Sequence, residues 1–431
     1  MLALFGFLTI AVFLLLVITK RLSVLLSLIL VPIFFALLSG FAPKELGEMI
    51  VAGIKQVAPT GILLIFAVLY FALMIDAGLF DPVIAGIVRL VKGDPLKITI
   101  GTALLTMLVH LDGDGTATFM ITVSALLPIY KKLGMNRLLL PCIVALSAGV
   151  MHLVPWSGTM ARAMNVMQTD TRNLLAPILP SMTGGIFWVL AVAYYLGRKE
   201  RKRIGVVHLD YNHLQELSEK QRSIRRPSLF WFNAGLTILL IVSLIMALLP
   251  APAIFIVGFA IALLGNYPSQ TEQRRRMTDH AGNVFFVSVM IFGAGVFSGI
   301  LTGTKMIDAM AGALVGLIPQ QHAGLLPTLV GVTGMPLSLA FTPDAYYFGV
   351  LPVLKNTMIH FGRDAIEVGR AAVLGQMTVG FPLSPLTAST FVLIGLSEVE
   401  LSDHQKFTFK WAFGTTIVMT LIALLTGAIH V

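Results

Sequence analysis

Cysteine is nearly missing from this sequence, and charge is scarce. One cysteine, Cys142, occurs in 431 residues. A single thiol closes no intrachain disulfide, and no Cys/His spacing suited to zinc accompanies it. Lys, Arg, Asp and Glu make up 12% of the chain, against about 25% in a soluble domain. Hydrophobic residues make up 57%, and mean hydropathy is +0.89. These values exclude a soluble enzyme, a disordered chain and an ordinary nucleic-acid-binding protein. The net charge of +9 does not point to DNA. The basic residues lie in short loops between apolar runs, where the positive-inside rule places them. The opening stretch also lacks the basic n-region and cleavage site of a signal peptide. Its charges, Lys20 and Arg21, come after the apolar residues, so residues 1–18 read as a first span.

A membrane span needs about 20 apolar residues. Several apolar runs here are shorter, and the short ones come in pairs separated by Gly, Pro, Ser, Thr or Asp. Two pairs, 98–131 and 323–361, read as re-entrant hairpins. Two others, 136–169 and 363–398, read as broken helices that cross once. Ten full spans follow, five on each side of a basic segment at 197–227 that holds nine Lys/Arg against four acids. That segment reads as a cytoplasmic linker between a first repeat, 1–196, and a second, 228–431. With both chain ends outside, the inside loops hold 22 Lys/Arg and the outside segments seven, with Arg162 left within the membrane. The halves look alike. Leu127-Pro128 recurs as Leu351-Pro352 after 224 residues, and Val154-Pro155-Trp156-Ser157 finds a counterpart in Phe381-Pro382-Leu383-Ser384 after 227. Five crossings per half is odd, so the second half is expected to be inverted. The expected fold is an all-α polytopic membrane protein, an inverted repeat of five spans plus one hairpin each. Discontinuous helices in that arrangement point to a secondary transporter with its site at the midplane.

Bare backbone survives at membrane depth only where protein or a wet cavity satisfies it, so four interruptions carry the chemistry. The first, Asp112-Gly113-Asp114-Gly115-Thr116-Ala117-Thr118, sets two carboxylates and hydroxyls between apolar arms. A carboxylate there is costly and a functional candidate, or else a helix cap. An EF-hand is excluded, because position 12 is Val123 rather than a bidentate Glu. A GxGD-type protease is disfavoured by the order Asp-Gly-Asp-Gly. The second interruption is His152-Leu153-Val154-Pro155-Trp156-Ser157-Gly158-Thr159, followed by Arg162. Pro155 removes a helix hydrogen bond, and a helix restarting near Met160 offers N–H groups to an anion. Arg162 suits a carboxylate bidentately, from the substrate or from an Asp. His152 could relay protons, ligate a metal or simply be hydrogen-bonded. The third, Thr333 to Asp344, contains Gly334, Pro336, Ser338, Thr342 and Asp344; the last could cap a helix, carry a proton or ligate a cation. The fourth, Gly380 to Thr387, offers Pro382, Ser384 and Thr387, and no charge. Outside the breaks, Asp76 is expected to cap or pair, Glu367 and Arg370 to pair at i,i+3, and Tyr346-Tyr347 to pack.

At these breaks the sequence resembles a known family. The carrying motifs are Leu-Asp-Gly-Asp-Gly-Thr at 111–116, Pro155-Trp156 with Ala161-Arg162-Ala163, and Pro-Asp-Ala-Tyr-Tyr-Phe-Gly at 343–349. Gly-Gln-Met-Thr at 375–378, running into Gly-Phe-Pro-Leu-Ser-Pro-Leu-Thr at 380–387, adds to them. So do Thr19-Lys20-Arg21-Leu22-Ser23 and Asp403-His404-Gln405-Lys406-Phe407. Over essentially the whole chain they resemble the citrate–divalent-metal/proton symporter family of the ion-transporter superfamily. The resemblance implies a homodimer in the cytoplasmic (inner) membrane, in contact with the lipid bilayer. Each protomer would have a scaffold domain and an elevator-type transport domain holding both hairpins and both broken helices. The implied substrate is citrate complexed with a divalent metal, taken up with protons. The chain departs from the family pattern at His152, Ser157 and Thr159, where Asn, Gly and Pro are usual.

A divalent metal reduces trianionic citrate to a monoanion, which is far easier to desolvate. Helix N-termini, the hydroxyls of Thr116, Ser157, Ser338 and Ser384, and Arg162 are expected to hold the carboxylates. Gly113, Gly115, Thr118, Pro155, Trp156, Gly158, Thr159, Gly334, Pro336, Thr342, Pro382 and Thr387 complete the candidate site. Oxygen ligands suit Mg²⁺ or Ca²⁺, and Asp112, Asp114 or Asp344 could complete the metal shell or carry the coupled proton. No enzyme activity, covalent cofactor or nucleic-acid partner is expected. A sodium-coupled di- or tricarboxylate transporter of the same fold is the alternative.

Overall fold

The computed structural model describes residues 1–19, 21–82, 85–86, 93–206, 223–246, 248–316 and 320–431. Lys20, Arg89, Lys92 and the middle of the basic linker, with Lys220 and Arg222, lie outside the described residues. Among the described residues every regular element is helical. The first half contains α1 (Leu2–Ile18), α2 (Val24–Leu38), α3 (Pro43–Ala77), α4 (Pro95–Val109), α5 (Gly115–Lys132), α6 (Leu139–Met151), α7 (Gly158–Met167), α8 (Thr171–Leu175) and α9 (Leu179–Ile204). The second contains α10 (Phe230–Ile245), α11 (Ala251–Asn266), α12 (Gln270–Gly303), α13 (Met306–Val315), α14 (Leu325–Leu337), α15 (Leu351–His360), α16 (Ile366–Val373), α17 (Ala388–Ser397) and α18 (Leu401–Leu425).

Local chemistry explains the ends. Pro43 opens α3, where its missing N–H is harmless, and Glu45 accepts the Ala42 N–H at 2.9 Å. Gly78, at φ +84°, closes the same helix in the left-handed conformation that glycine adopts freely. Asp94 caps α4 through the Leu96 N–H at 3.0 Å, and Pro95 follows it.

By length and composition four described helices can cross a membrane: Pro43–Ala77, Thr171–Ile204, Pro227–Leu244 and Leu401–Leu425. The pair Ser288–Gly303 and Met306–Val315, bent by 65°, makes a fifth if taken as one span. The first two expected spans form helices of 17 and 15 residues, short of the roughly 20 that a straight crossing takes. The element order nevertheless repeats: lengths of 17, 15 and 35 residues for α1 to α3 recur as 16, 16 and 34 for α10 to α12. Large apolar side chains stand exposed along the outside, among them Phe34, Phe187, Trp231, Leu239, Phe285 and Leu425, a surface that lipid and not water accommodates. The chain is an all-α, multi-pass membrane protein.

Two sets of contacts organise the helices. The long α3 packs along α12 and α11, and α12 also packs on α2. Separately, α4 packs on α9 and α6, α5 on α17, α14 on α16 and α18, and α9 on α18. The α3/α12 crossing is nearly backbone to backbone. A Cβ on Gly53 would lie 2.0 Å from the Gly295 carbonyl oxygen, and one on Gly299 would lie 2.4 Å from that of Met49. Small residues permit such close approach between membrane helices. On the side the loop charges assign to the cytoplasm, Asp76 pairs with Arg276 at 3.1 Å and His280 at 2.9 Å.

One expected pair is corrected. Glu367 and Arg370 do not bond each other: Glu367 accepts from the His430 N–H at 3.0 Å and meets His430 Nδ1 at 2.7 Å. Arg370 donates to the carbonyls of Asn173 and Ala428. Helical spacing brought the two charges near, but the C-terminal residues and helix α8 offered better-placed partners.

Gly299→Leu is expected to destabilise the detergent-solubilised protein by about 3 kcal/mol or more and so lower its thermal unfolding midpoint sharply, since the obstacle is backbone rather than a movable side chain. Gly282→Ala, on the same helix with open space around it, should leave the midpoint unchanged or raise it. Equal midpoints for the two variants would contradict the close crossing.

Candidate substrate site

The first tip is built by α4 ending early. A 3₁₀ turn covers His110–Asp112, Gly113 adopts φ +74°, and Asp114 caps α5 through the N–H groups of Thr116 at 3.0 Å and Ala117 at 3.4 Å. Asp112 Oδ1 accepts from the Asp114 N–H at 2.9 Å and the Thr118 hydroxyl at 3.2 Å. Asp112 Oδ2 is buried with no hydrogen-bond partner. Thus one carboxylate caps a helix, while the other keeps an oxygen in reserve.

The second break runs between α6 and α7. Helix α7 starts at Gly158, two residues ahead of the expected restart, because the Ser157 hydroxyl caps it by accepting the Met160 N–H at 3.2 Å. That hydroxyl also donates to the His152 carbonyl at 2.6 Å. The third break is shorter than expected. Helix α14 continues through Gly334 and Pro336 to Leu337, and a π-helical turn at Ala345–Val350 follows Asp344. Thr342 accepts the Ala345 N–H at 3.2 Å. The fourth break is longer. It begins after Val373 and reaches Thr387, with one 3₁₀ turn at Phe381–Leu383. Within it Met377 holds φ +53°, a conformation that is strained for a residue with a side chain.

The structure brings all four breaks together. Trp156 Nε1 donates to the Leu111 carbonyl at 2.7 Å, joining the second break to the first. Phe381 of the fourth lies 4.6 Å from the His152 ring and 5.9 Å, stacked, from Phe119. The Thr159 hydroxyl donates to the Met377 carbonyl at 2.9 Å, and Ser338 Oγ accepts the Met377 N–H at 2.8 Å. Two hydroxyls from opposite halves therefore satisfy both peptide groups of the strained residue. Arg162 Nε donates to Asp344 Oδ1 at 2.8 Å, an ion pair with side chains 16% and 8% exposed. Its Nη1 stands where α7 begins, 2.8 Å from the position of a Cβ on Gly158.

Several expected ligands are thus already engaged: Ser157, Thr159 and Ser338 stitch backbone, and Ser384 accepts the Leu386 N–H. Thr387 sits at the start of α17, its hydroxyl 3.9 Å from the Met377 sulfur. Asp344 faces Arg162, while Asp112 and Asp114 face the first tip. Among the described residues no three His, Cys, Asp or Glu side chains converge as a metal-holding group.

Two residues of the cluster escaped the sequence reading. His110, fully buried, contacts Thr118 Oγ1 through Nδ1 at 2.8 Å and His152 Nδ1 through Nε2 at 3.0 Å. His152 is not solitary, and one proton lies between the two rings. The other is Gln376, fully buried with neither side-chain amide atom hydrogen-bonded, while its backbone carbonyl accepts from Tyr347 OH at 2.8 Å. A polar residue inside an apolar run beside a break was the signal available for both. A buried polar atom without a partner calls for a ligand or water, and Asp112 Oδ2 and Gln376 are such atoms.

Known proteins resemble this chain over most of its length. A family model described as "Citrate transporter" (CitMHS) matches residues 13–375. A protein of Bacillus subtilis (strain 168) named "Citrate transporter" is 52% identical over 429 residues, covering 100% of both chains. Another from the same organism, named "Mg(2+)/citrate complex secondary transporter", is 48% identical over 433 residues, again covering 100% of both. Among solved structures, the YdaH transporter of Alcanivorax borkumensis, described as having an unusual topology, matches with a TM-score of 0.57 and 15% identity over 89% of each chain. That likeness is one of fold alone.

Arg162→Met and Asp344→Asn should each destabilise the protein by about 3–5 kcal/mol, because either change strands a buried partner. The double variant should recover part of that loss. A double variant as unstable as the sum of the singles, measured by thermal unfolding, would show that the ion pair is not coupled.

Proposed function

Since the chain belongs to the CitMHS citrate transporter family, we propose that it is a secondary active transporter that imports citrate as a complex with a divalent metal ion, coupled to protons. It is a multi-pass transporter of the cell membrane and not an enzyme. The observation that carries the metal complex as substrate is the state of Arg162. The four breaks contain no other Lys or Arg, and this guanidinium is already neutralised by Asp344. A trianion entering here would find no uncompensated positive charge, and burying it would be prohibitive. A metal–citrate monoanion needs much less: the N–H groups that open α7, with the remaining guanidinium nitrogens, suit one net negative charge. Citrate's own oxygens supply most of a hard cation's ligands. Asp112, Asp114 or Asp344 can complete the shell or take the proton, and Asp112 brings an oxygen with no other partner. Oxygen ligation points to Mg²⁺ or Ca²⁺.

The same proposal takes the two halves as inverted repeats and the protein as a homodimeric elevator. The helix lengths that recur between α1–α3 and α10–α12 support the first. Two contact sets support the second: α2, α3, α11 and α12 on one side, and the helices that carry the breaks on the other. Metal, proton and substrate bind in the second set, which moves against the first.

Labelled citrate uptake into proteoliposomes under an inward proton gradient tests this. Uptake should require a divalent ion, stop with EDTA, and fall when the proton gradient is dissipated. Asp112→Asn should reduce it at least tenfold, a loss in keeping with a buried charged contact. Uptake indifferent to metal and chelator would overturn the complex as substrate. Uptake driven by sodium alone would overturn the proton.

A further inference from the structure

Helix α7 carries a second polar position that the breaks do not use. Asn165 lies one turn beyond Arg162, on the same helix face. Its side chain is 5% exposed, and neither Nδ2 nor Oδ1 has a hydrogen-bond partner. An amide left in that state costs free energy unless something binds it. Asn165 lines a cavity of about 730 Å³ that opens at the surface between α3 and the C-terminal end of α7. Gln56 and Thr60 supply the α3 wall, and Gln168 and Asn173 the other. The acid at its rim, Asp170, is engaged in capping α8 through the Asn173 N–H at 2.8 Å. The cavity volume falls among those of small-molecule sites, about 300–1,000 Å³.

The lining chemistry narrows the ligand. Amides present donors and acceptors together, and neither wall places a cation in the lining. A bare polycarboxylate would ask for Lys or Arg. A metal–hydroxycarboxylate complex of low net charge presents carboxylate oxygens, a hydroxyl and metal-bound water, and so needs both donors and acceptors. In the topology proposed above, the 169–173 loop and the Lys55 end of α3 face outside. We propose that this cavity is an external capture site for the metal–citrate complex, with Asn165 as its innermost contact, one helical turn short of the Arg162–Asp344 pair. It rests on the metal–citrate reading of the function. The complex binds first between α3 and α7, at the seam of the two contact sets, and then passes along α7 to the breaks.

The test is uptake kinetics in proteoliposomes with Mg²⁺–citrate and Ca²⁺–citrate, for the full chain and for Asn165→Leu and Thr60→Val, together with thermal unfolding in detergent. Each variant is expected to raise KM about five- to tenfold, the effect of one lost hydrogen bond in a capture step. Vmax should stay within about twofold of the parent, since binding lost equally from substrate and transition state leaves turnover alone. Asn165→Leu should unfold at the same temperature as the parent or higher, because it removes an unpaired buried amide. KM values within about twofold of the parent for both variants would overturn the capture site. So would an Asn165→Leu protein that unfolds early or fails to fold, because the amide would then be structural. Absence of citrate uptake by the parent with every metal would instead defeat the functional reading beneath it.

Discussion

A peptide group released from a helix has no partner in hydrocarbon, and this constraint governs the centre of the molecule. The four breaks free many such groups. The chain answers by making the breaks satisfy one another. Thr159 and Ser338, from opposite halves, hold the carbonyl and N–H of Met377. Trp156 reaches the Leu111 carbonyl, and its ring stacks on Phe71 of α3 at 5.5 Å. Each break is held in part by a contact from another. The cluster is therefore one cooperative unit, and glycines let its backbones meet: a Cβ on Gly149 would come within 2.8 Å of Val379 Cα.

Electrostatics builds on that unit. Arg162 and Asp344 come from different halves and neutralise each other where an isolated charge would be costly. With that pair in place, polarity in the cluster comes mostly from hydroxyls, amides, imidazoles and helix N-termini. Such groups suit a large, weakly charged ligand with many oxygens. Asp112 Oδ2 in the first break and the Gln376 amide and Thr378 hydroxyl in the fourth are buried without a partner, so a ligand that satisfied both breaks would bridge the halves. Binding energy would then be tied to closing the cluster, as alternating access requires.

Much of this was legible in the sequence, for identifiable reasons. Pro155, Pro382 and the glycines around Asp112 mark positions where an apolar helix cannot continue, and local chemistry determines that without knowledge of the fold. The extent of each break was less legible. Pro336 is tolerated inside α14, and the fourth break starts well before Pro382, at Leu374-Gly375, where a single glycine is the local signal. Partners depend on long-range packing. Spacing put Glu367 beside Arg370, yet the chain end took the carboxylate. His110 was hidden in an apolar run, and only the fold shows its ring against His152. Helix α13 follows a sharp turn at Lys305, which holds φ +62° against its own side-chain preference, so no local rule announces it.

The central claim is that metal and citrate cross together through the cluster formed by the four breaks. Dual-isotope uptake into proteoliposomes, with labelled Ca²⁺ and labelled citrate counted in the same vesicles, tests it most directly. The account predicts equal molar accumulation of the two labels over a range of concentrations, and parallel loss of both in Asp112→Asn. Citrate accumulating without the metal, or the two labels varying independently, would contradict it.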